Sequence, residues 1–266
     1  MREIKVSRIN TKNNTIEHRT DYVAEDMPIH IFVNKNHYGT ILCTPEQTKE
    51  LVIGHLLAEG LLKDANEIEQ LTIKDDGKCL VTLKSDIDAQ KRISTIQRFS
   101  RIIVSSCGAP NYKPLAEIIE KLPKIDFDLK ITASVLLESV QQLNFIAEKF
   151  RKTGGVHVAA LYDTDGKVVA LAEDVGRHNA VDKVIGVAAT KNLDFSKLIL
   201  ALSGRLTGDI VLKAARTRIP LIGSLSAAIT SGLETANLTS ITLVGFVRGQ
   251  RMNVYTYPER IVFEKP

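Results

Sequence analysis

Tryptophan is absent from this 266-residue chain, and the flat side chains amount to eight Phe and six Tyr. That leaves little with which to build a stacking platform for single-stranded nucleic acid. Cysteine is also scarce. Cys43, Cys79 and Cys107 are odd in number and far apart, which gives neither a disulfide framework nor a Cys-x-x-Cys zinc site. Such usage suits a reducing cytoplasm, the location expected for this protein. No apolar run is long enough to span a bilayer, and Met1-Arg2-Glu3-Ile4-Lys5 lacks the apolar core of a signal peptide. Charge is nearly balanced, 35 Lys and Arg against 31 Asp and Glu, a net of +4. This mild excess fits an anionic small ligand and is too weak for a nucleic-acid surface. Signature motifs are missing too. No Walker Gly-Lys-Ser/Thr ending and no Gly-x-Ser-x-Gly elbow occurs. His157-Val158-Ala159 lacks both the glutamate and the paired cysteines of a zinc deaminase.

Hydrophobic residues at 44% and charged residues at 25% are ordinary for a globular protein with a substantial core. The length admits two domains. From Ile4 to Ile41 the pattern is strand-like, with a hairpin predicted over 28–33 and 37–42 around Asn34-Lys35-Asn36. A helix over 44–60 is predicted next, with Thr44 as cap, Pro45 in its first turn and Gln47 closing a capping box. His55 falls on its apolar face as a core histidine. Strands over 70–73 and 80–83 flank Asp75-Asp76-Gly77-Lys78, and Cys79 takes a structural place at a strand edge. Residues 86–101 read as a short helix or linker, and 114–122 as a helix ended by Pro123. A helix over 131–150 carries Thr132 or Ser134 as cap. A hairpin over 156–162 and 167–172 turns on Asp163-Thr164-Asp165-Gly166. Strands at 198–202, 220–223 and 241–246 then alternate with helices at 179–190, 207–218 and 226–236, and 253–256 adds an edge strand. That alternation predicts an α/β layer with parallel pairing.

One cysteine stands apart. Cys107 sits in Ser105-Ser106-Cys107-Gly108-Ala109-Pro110-Asn111-Tyr112, a dense run of turn formers where a thiol can reach solvent. Elsewhere, three polar groups fall where strands end and helices begin, the usual ligand position in such a sheet. They are Glu173-Asp174-Val175-Gly176-Arg177-His178-Asn179, Ser203-Gly204-Arg205-Leu206-Thr207-Gly208, and Gly245-Phe246-Val247-Arg248-Gly249-Gln250-Arg251. Small residues at a helix start can hold an anion, Arg177, Arg205, Arg248 and Arg251 add charge, and Phe246 can cover a flat heterocycle. A capping role for Asp174 or Asn179 and a solvated strand end at 246–251 are the plainer alternatives.

Taken in order, Glu50-Leu51-Val52-Ile53-Gly54-His55-Leu56-Leu57-Ala58-Glu59-Gly60, Ser105-Ser106-Cys107-Gly108, Gly154-Gly155-Val156-His157, the block Glu173 to Lys183, Ser203-Gly204-Arg205 and Gly245 to Gly249 resemble the formate dehydrogenase accessory sulfurtransferases, the FdhD-like proteins. The resemblance implies a cytoplasmic homodimer that takes sulfur from a cysteine desulfurase as a persulfide on Cys107. It implies delivery of that sulfur to the bis-molybdopterin guanine dinucleotide form of the molybdenum cofactor, ahead of insertion into formate dehydrogenase. It further implies an α/β fold, with a C-terminal cytidine-deaminase-like three-layer domain at 114–266, without that fold's zinc. A smaller N-terminal α+β domain spans 1–104, and the cysteine loop is 105–113. On this reading the cofactor, or a guanine nucleotide in its place, meets Phe246, Val247, Arg248, Gly249, Gln250 and Arg251, with Ser203, Arg205, Asp174, Arg177 and His178 around it. The sequence departs from the resemblance at one point. The family's Cys-x-x-Cys reads Cys107-Gly108-Ala109-Pro110 here, so a disulfide within the loop is impossible. Two readings follow: a one-cysteine sulfur carrier, or a chaperone that binds the cofactor without transferring sulfur. Neither membrane nor nucleic acid is expected as a partner.

Overall fold

The computed structural model of the chain describes residues 1–94, 125 and 129–263. Loop 105–113 with Cys107, the expected domain boundary and the helix expected over 114–122 lie outside the described residues.

Strands β1 (Arg2–Asn10) and β2 (Thr15–Val23) pair along their whole length as a separate ribbon. Strands β3 (Met27–Val33) and β4 (Asn36–Cys43) form the predicted hairpin. Its turn is one residue tighter than expected, because Asn34 and Lys35 both take positive φ, 46° and 70°, as a two-residue primed turn requires. Strands β5 (Ile68–Ile73) and β6 (Lys78–Leu83) pair around the turn at Gly77, and β6 runs parallel to β3. The sheet order is β4-β3-β6-β5. Cys43 and Cys79 are both buried in it.

Helix α1 (Thr48–Ala58) starts later than predicted, and its expected cap is not made. Gln47 holds the N-cap position at φ 56° without a side-chain bond, and its Nε2 donates to the Leu171 carbonyl (3.1 Å). Thr44 is drawn away by partners far along the chain, described below. Leu51, Val52, Ile53, Leu56 and Leu57 are all buried. Apolar side chains all round mark a helix covered on both sides, and at about 2 kcal/mol each their burial holds α1 in place.

Strand β7 (Ile131–Thr132) leads into α2 (Ala133–Ile146), capped by Thr132, whose Oγ1 accepts from Val135 N (3.4 Å). The single helix expected to reach Phe150 breaks at Ala147, and α3 (Glu148–Thr153) restarts it. Glu173 accepts from Phe150 N (2.6 Å), satisfying a first-turn N–H that the new helix cannot. Next come β8 (His157–Tyr162), β9 (Val168–Asp174), α4 (Arg177–Thr190), β10 (Ile199–Leu202), α5 (Gly208–Arg216) and β11 (Leu221–Ser224). Helix α6 (Thr230–Thr239) begins four residues later than predicted, because Leu206 bonds along the 227–229 backbone and keeps it extended. Strands β12 (Thr242–Arg248), β13 (Arg251–Val254) and β14 (Ile261–Val262) complete the chain.

The main sheet runs β13-β12-β11-β10-β8-β9, with β10, β11 and β12 mutually parallel and the outer pairings antiparallel. On one face Leu136, Val140 and Leu143 of α2 meet Ala160, Tyr162, Ile199 and Val244. On the other, Val181, Val184 and Ile185 of α4 and Ile210 and Val211 of α5 meet Leu161, Leu200 and Ile222. The fold is therefore α/β in three layers, as expected. The second cluster continues without a break through α1 into Ile29, Ile31 and Val81 of the N-terminal sheet. Glycine makes that continuity possible. A Cβ on Gly54 would lie 1.7 Å from the Asp182 carbonyl oxygen, and one on Gly186 would lie 1.9 Å from that of Glu50. Helices α1 and α4 thus touch backbone to backbone.

Candidate functional site

Because β10, β11 and β12 are parallel, their C-terminal ends share one edge of the sheet, where β8 begins and β9 ends. That edge gathers residues 154–157, 174–178, 203–207, 224–228 and 246–248. Between them lies an open cleft of about 370 Å³, lined by Phe150, Gly155, His157, Ser203, Ser226 and Arg248 among others.

Beneath the cleft sits a buried ion pair. Asp174 and Lys183 have no exposed side-chain surface and stand 2.6 Å apart. Asp174 Oδ1 accepts from Gly176 N (2.9 Å) and Asn179 Nδ2 (2.8 Å), and Oδ2 accepts from Thr44 N (3.0 Å). Lys183 donates to Thr44 Oγ1 (2.6 Å). These bonds correct two expectations. Thr44 clamps the N-terminal segment to the end of β9 instead of capping α1. Asp174 is fully engaged by protein groups and fixes the loop from below, so it does not line the site.

Arg177 and His178 open α4 directly above that anchor, half-buried. His178 Nε2 pairs with Asp209 in the first turn of α5, and Thr207 donates to the other oxygen of the same carboxylate. Burial alone would raise the Asp209 pKa, but His178 and Thr207 together hold it well below the usual carboxylate range. The Arg177 stem lies on Gly204, where a Cβ would sit 3.2 Å from Arg177 Cβ. Ser203 lines the cleft. Its Oγ accepts from Val158 N (3.2 Å) and stands 3.4 Å from His157 Nδ1. Burial first, then the cations of Arg177 and His178, push the His157 pKa below its ordinary value. A neutral imidazole therefore faces the cleft at neutral pH. Arg205 is exposed on the same edge and does not line the cleft.

Residues 246–251 divide. Phe246 sits at the bulge between Gly245 and Arg248 with φ +52°, a left-handed conformation costly for an aromatic residue. Its N–H donates to Ser226 O (2.9 Å), and its ring is 39% exposed. Arg248 donates from Nε to Leu225 O (3.1 Å), with its guanidinium 5.7 Å from the Phe246 ring centre. Val247 is buried in the α2 face of the core, which corrects its expected ligand role: the bulge at Phe246 shifts the alternation along β12, so Val247 shares a face with Val244 three residues earlier. Gly249, Gln250 and Arg251 are exposed in the turn to β13 and lie outside the cleft lining. Sequence reasoning assigned no role to His157, Phe150 or Ser226, which line the cleft. For His157 the Gly154-Gly155-Val156-His157 block was the available signal. Among the described residues no cluster of His, Cys, Asp or Glu could hold a metal ion, and no helix is long and apolar enough to cross a membrane.

Comparison with known proteins decides the family. The model of the FdhD/NarQ family matches residues 24–262. The chain belongs to that family. It is 36% identical over 262 residues to the sulfur carrier protein FdhD of Sulfolobus acidocaldarius, covering 98% of each chain. With the protein of the same name from Bacillus subtilis it shares 32% identity over 241 residues, 91% of this chain and 90% of the other. The crystal structure of a Desulfotalea psychrophila protein described as a formate dehydrogenase accessory protein superposes with a TM-score of 0.78 at 27% identity, over 98% of both chains. The cleft and its Arg248–Phe246 contact therefore belong to a member of the FdhD/NarQ family.

Proposed function

We propose that this chain is a sulfur carrier serving formate dehydrogenase, with Cys107 as the carrying atom and the strand-end cleft as the seat of a guanine-dinucleotide molybdenum cofactor. The Cys107 thiolate attacks the outer sulfur of a cysteine desulfurase persulfide. A new S–S bond forms as the old one breaks, the desulfurase leaves as a thiolate, and one proton passes between them. The carried sulfur then goes to the cofactor, which is a substrate here and not a resident group: the Cys107 S–S bond breaks, Cys107 leaves as its thiolate, and a two-electron donor, the reduced metal of the substrate or an external thiol, brings the sulfur to the sulfide level. Arg248 takes the phosphates, Phe246 covers the flat guanine or pterin, and Arg205 and Arg251 add positive field at the rim. A homodimer is the expected assembly. The observation carrying this reading is Arg248 in the cleft lining with its guanidinium against the neighbouring Phe246 ring, in a chain whose relatives are named sulfur carriers.

Incubation with desulfurase, cysteine and labelled sulfur tests it. Label on the wild type that is lost in Cys107→Ala supports the reading, and equal label on both ends it. Pro110, standing where the family's second thiol is expected, favours one other reading, a cofactor-binding chaperone without transfer. That reading requires Cys107→Ser to rescue formate dehydrogenase in a deficient strain while Arg248→Ala does not.

A further inference from the structure

His157 has a role that the sulfur-carrier reading does not assign. It opens β8, lines the cleft and is half-buried. Ser203 Oγ already accepts from Val158 N (3.2 Å), so its single proton is available to His157 Nδ1 at 3.4 Å. With Nδ1 accepting, the ring proton sits on Nε2, the nitrogen left for a ligand. We propose that His157 donates from Nε2 to an anionic phosphate oxygen of the bound nucleotide, opposite Arg248, and takes up a proton as the nucleotide binds. This rests on the cleft being a nucleotide site.

The surroundings make the uptake follow. Facing His157 among the described residues are Arg177 and His178 on α4, His178 being paired with Asp209 on α5. Asp174 on β9 is paired with Lys183, and Arg248 at the end of β12 shares the cleft. Burial and the neighbouring Arg177 and His178 outweigh Asp174 and disfavour a charge on the imidazole. A phosphate anion opposes that and favours the imidazolium. Between the unliganded and liganded pKa values, affinity must therefore rise as pH falls, by up to about tenfold per pH unit. Above both values it is flat.

The probe is P1,P2-di(guanosine) diphosphate, a diester whose phosphate charges do not titrate in the range used, so any pH dependence belongs to the protein. Calorimetric titrations run from about pH 5 to about pH 8, each in two buffers of different ionisation enthalpy, to count protons. The expected result is roughly tenfold tighter binding at the acid end, with uptake of a substantial fraction of one proton. His157→Gln keeps a neutral donor and loses the titrating group, so its affinity stays flat across the same pH range, without proton uptake. Wild-type binding that is flat with pH, or uptake retained in His157→Gln, overturns the inference while leaving the cleft assignment intact. No binding by wild type at any pH overturns both. Should His157→Gln fail to fold, the wild-type proton count, with the same count in His157→Asn, decides.

Discussion

Replacing Asp174 by Asn should destabilise the protein by about 3–5 kcal/mol, the cost of breaking a buried ion pair from one side. The magnitude follows from the partners. Lys183 would be left with no exposed surface and no counter-ion, facing only the oxygens of Thr44 and Glu173 and an amide. An amide also has one acceptor where the carboxylate has two. Whichever way it turns, either Thr44 N or the pair Gly176 N and Asn179 Nδ2 loses its acceptor. Each orphaned buried donor costs about 1–3 kcal/mol, in agreement with the first estimate. Urea unfolding reads the loss as a lower midpoint at unchanged slope. Lys183→Met alone should also destabilise, whereas the double variant removes both charges. A coupling of at least about 2 kcal/mol in favour of the double variant is expected. A loss below about 1 kcal/mol for Asp174→Asn, or a double variant as unstable as the summed singles, would refute the role given to this pair.

Gly54→Ala should cost about 3 kcal/mol, seen as a lower thermal midpoint, because its Cβ would sit 1.7 Å from the Asp182 carbonyl oxygen and force α1 off α4. Burial would raise the Glu59 pKa, but Lys213 at 2.9 Å, with His55 and Arg216, brings it from 4.5 down to about 2. A depressed carboxylate stabilises above its unfolded pKa and loses that contribution as pH falls toward its folded one. The wild type should therefore lose about 2 kcal/mol from this group between about pH 5 and about pH 3. Glu59→Gln, less stable at the upper pH, should show that much less acid sensitivity in urea unfolding. Phe246→Gly should relieve the left-handed φ of +52° and raise stability by about 1 kcal/mol. The same change should weaken guanine-nucleotide binding, an opposite pair of signs that a purely structural Phe246 would not produce.

The hairpins at 28–43, 68–83 and 157–174 were legible because their signals are local: apolar runs on either side of Asn, Asp and Gly turns. The alternation of helices and strands after residue 173 announced an α/β layer with parallel pairing for the same reason. The start of α1 was misplaced because Thr44 and Gln47 have better partners on β9 than on their own helix, and no local rule contains a residue 130 positions away. The end of α2 was misplaced because Glu173 captures Phe150 N from across the fold.

Residue order alone determined the hairpins, the alternation of strands and helices with its parallel pairing, and the family, all of which depend on neighbours in the chain or on motif spacing. Which polar residues can meet a ligand was decided in three dimensions. Asp174 and Ser203 look alike in sequence, each polar at a strand end. One is wrapped by backbone donors and an ammonium, the other borders open space. Val247 and Arg248 are adjacent, yet strand alternation sends one into the core and the other to the cleft. A polar group's task depends on whether its hydrogen-bonding capacity is already filled, and the packing of distant segments sets that.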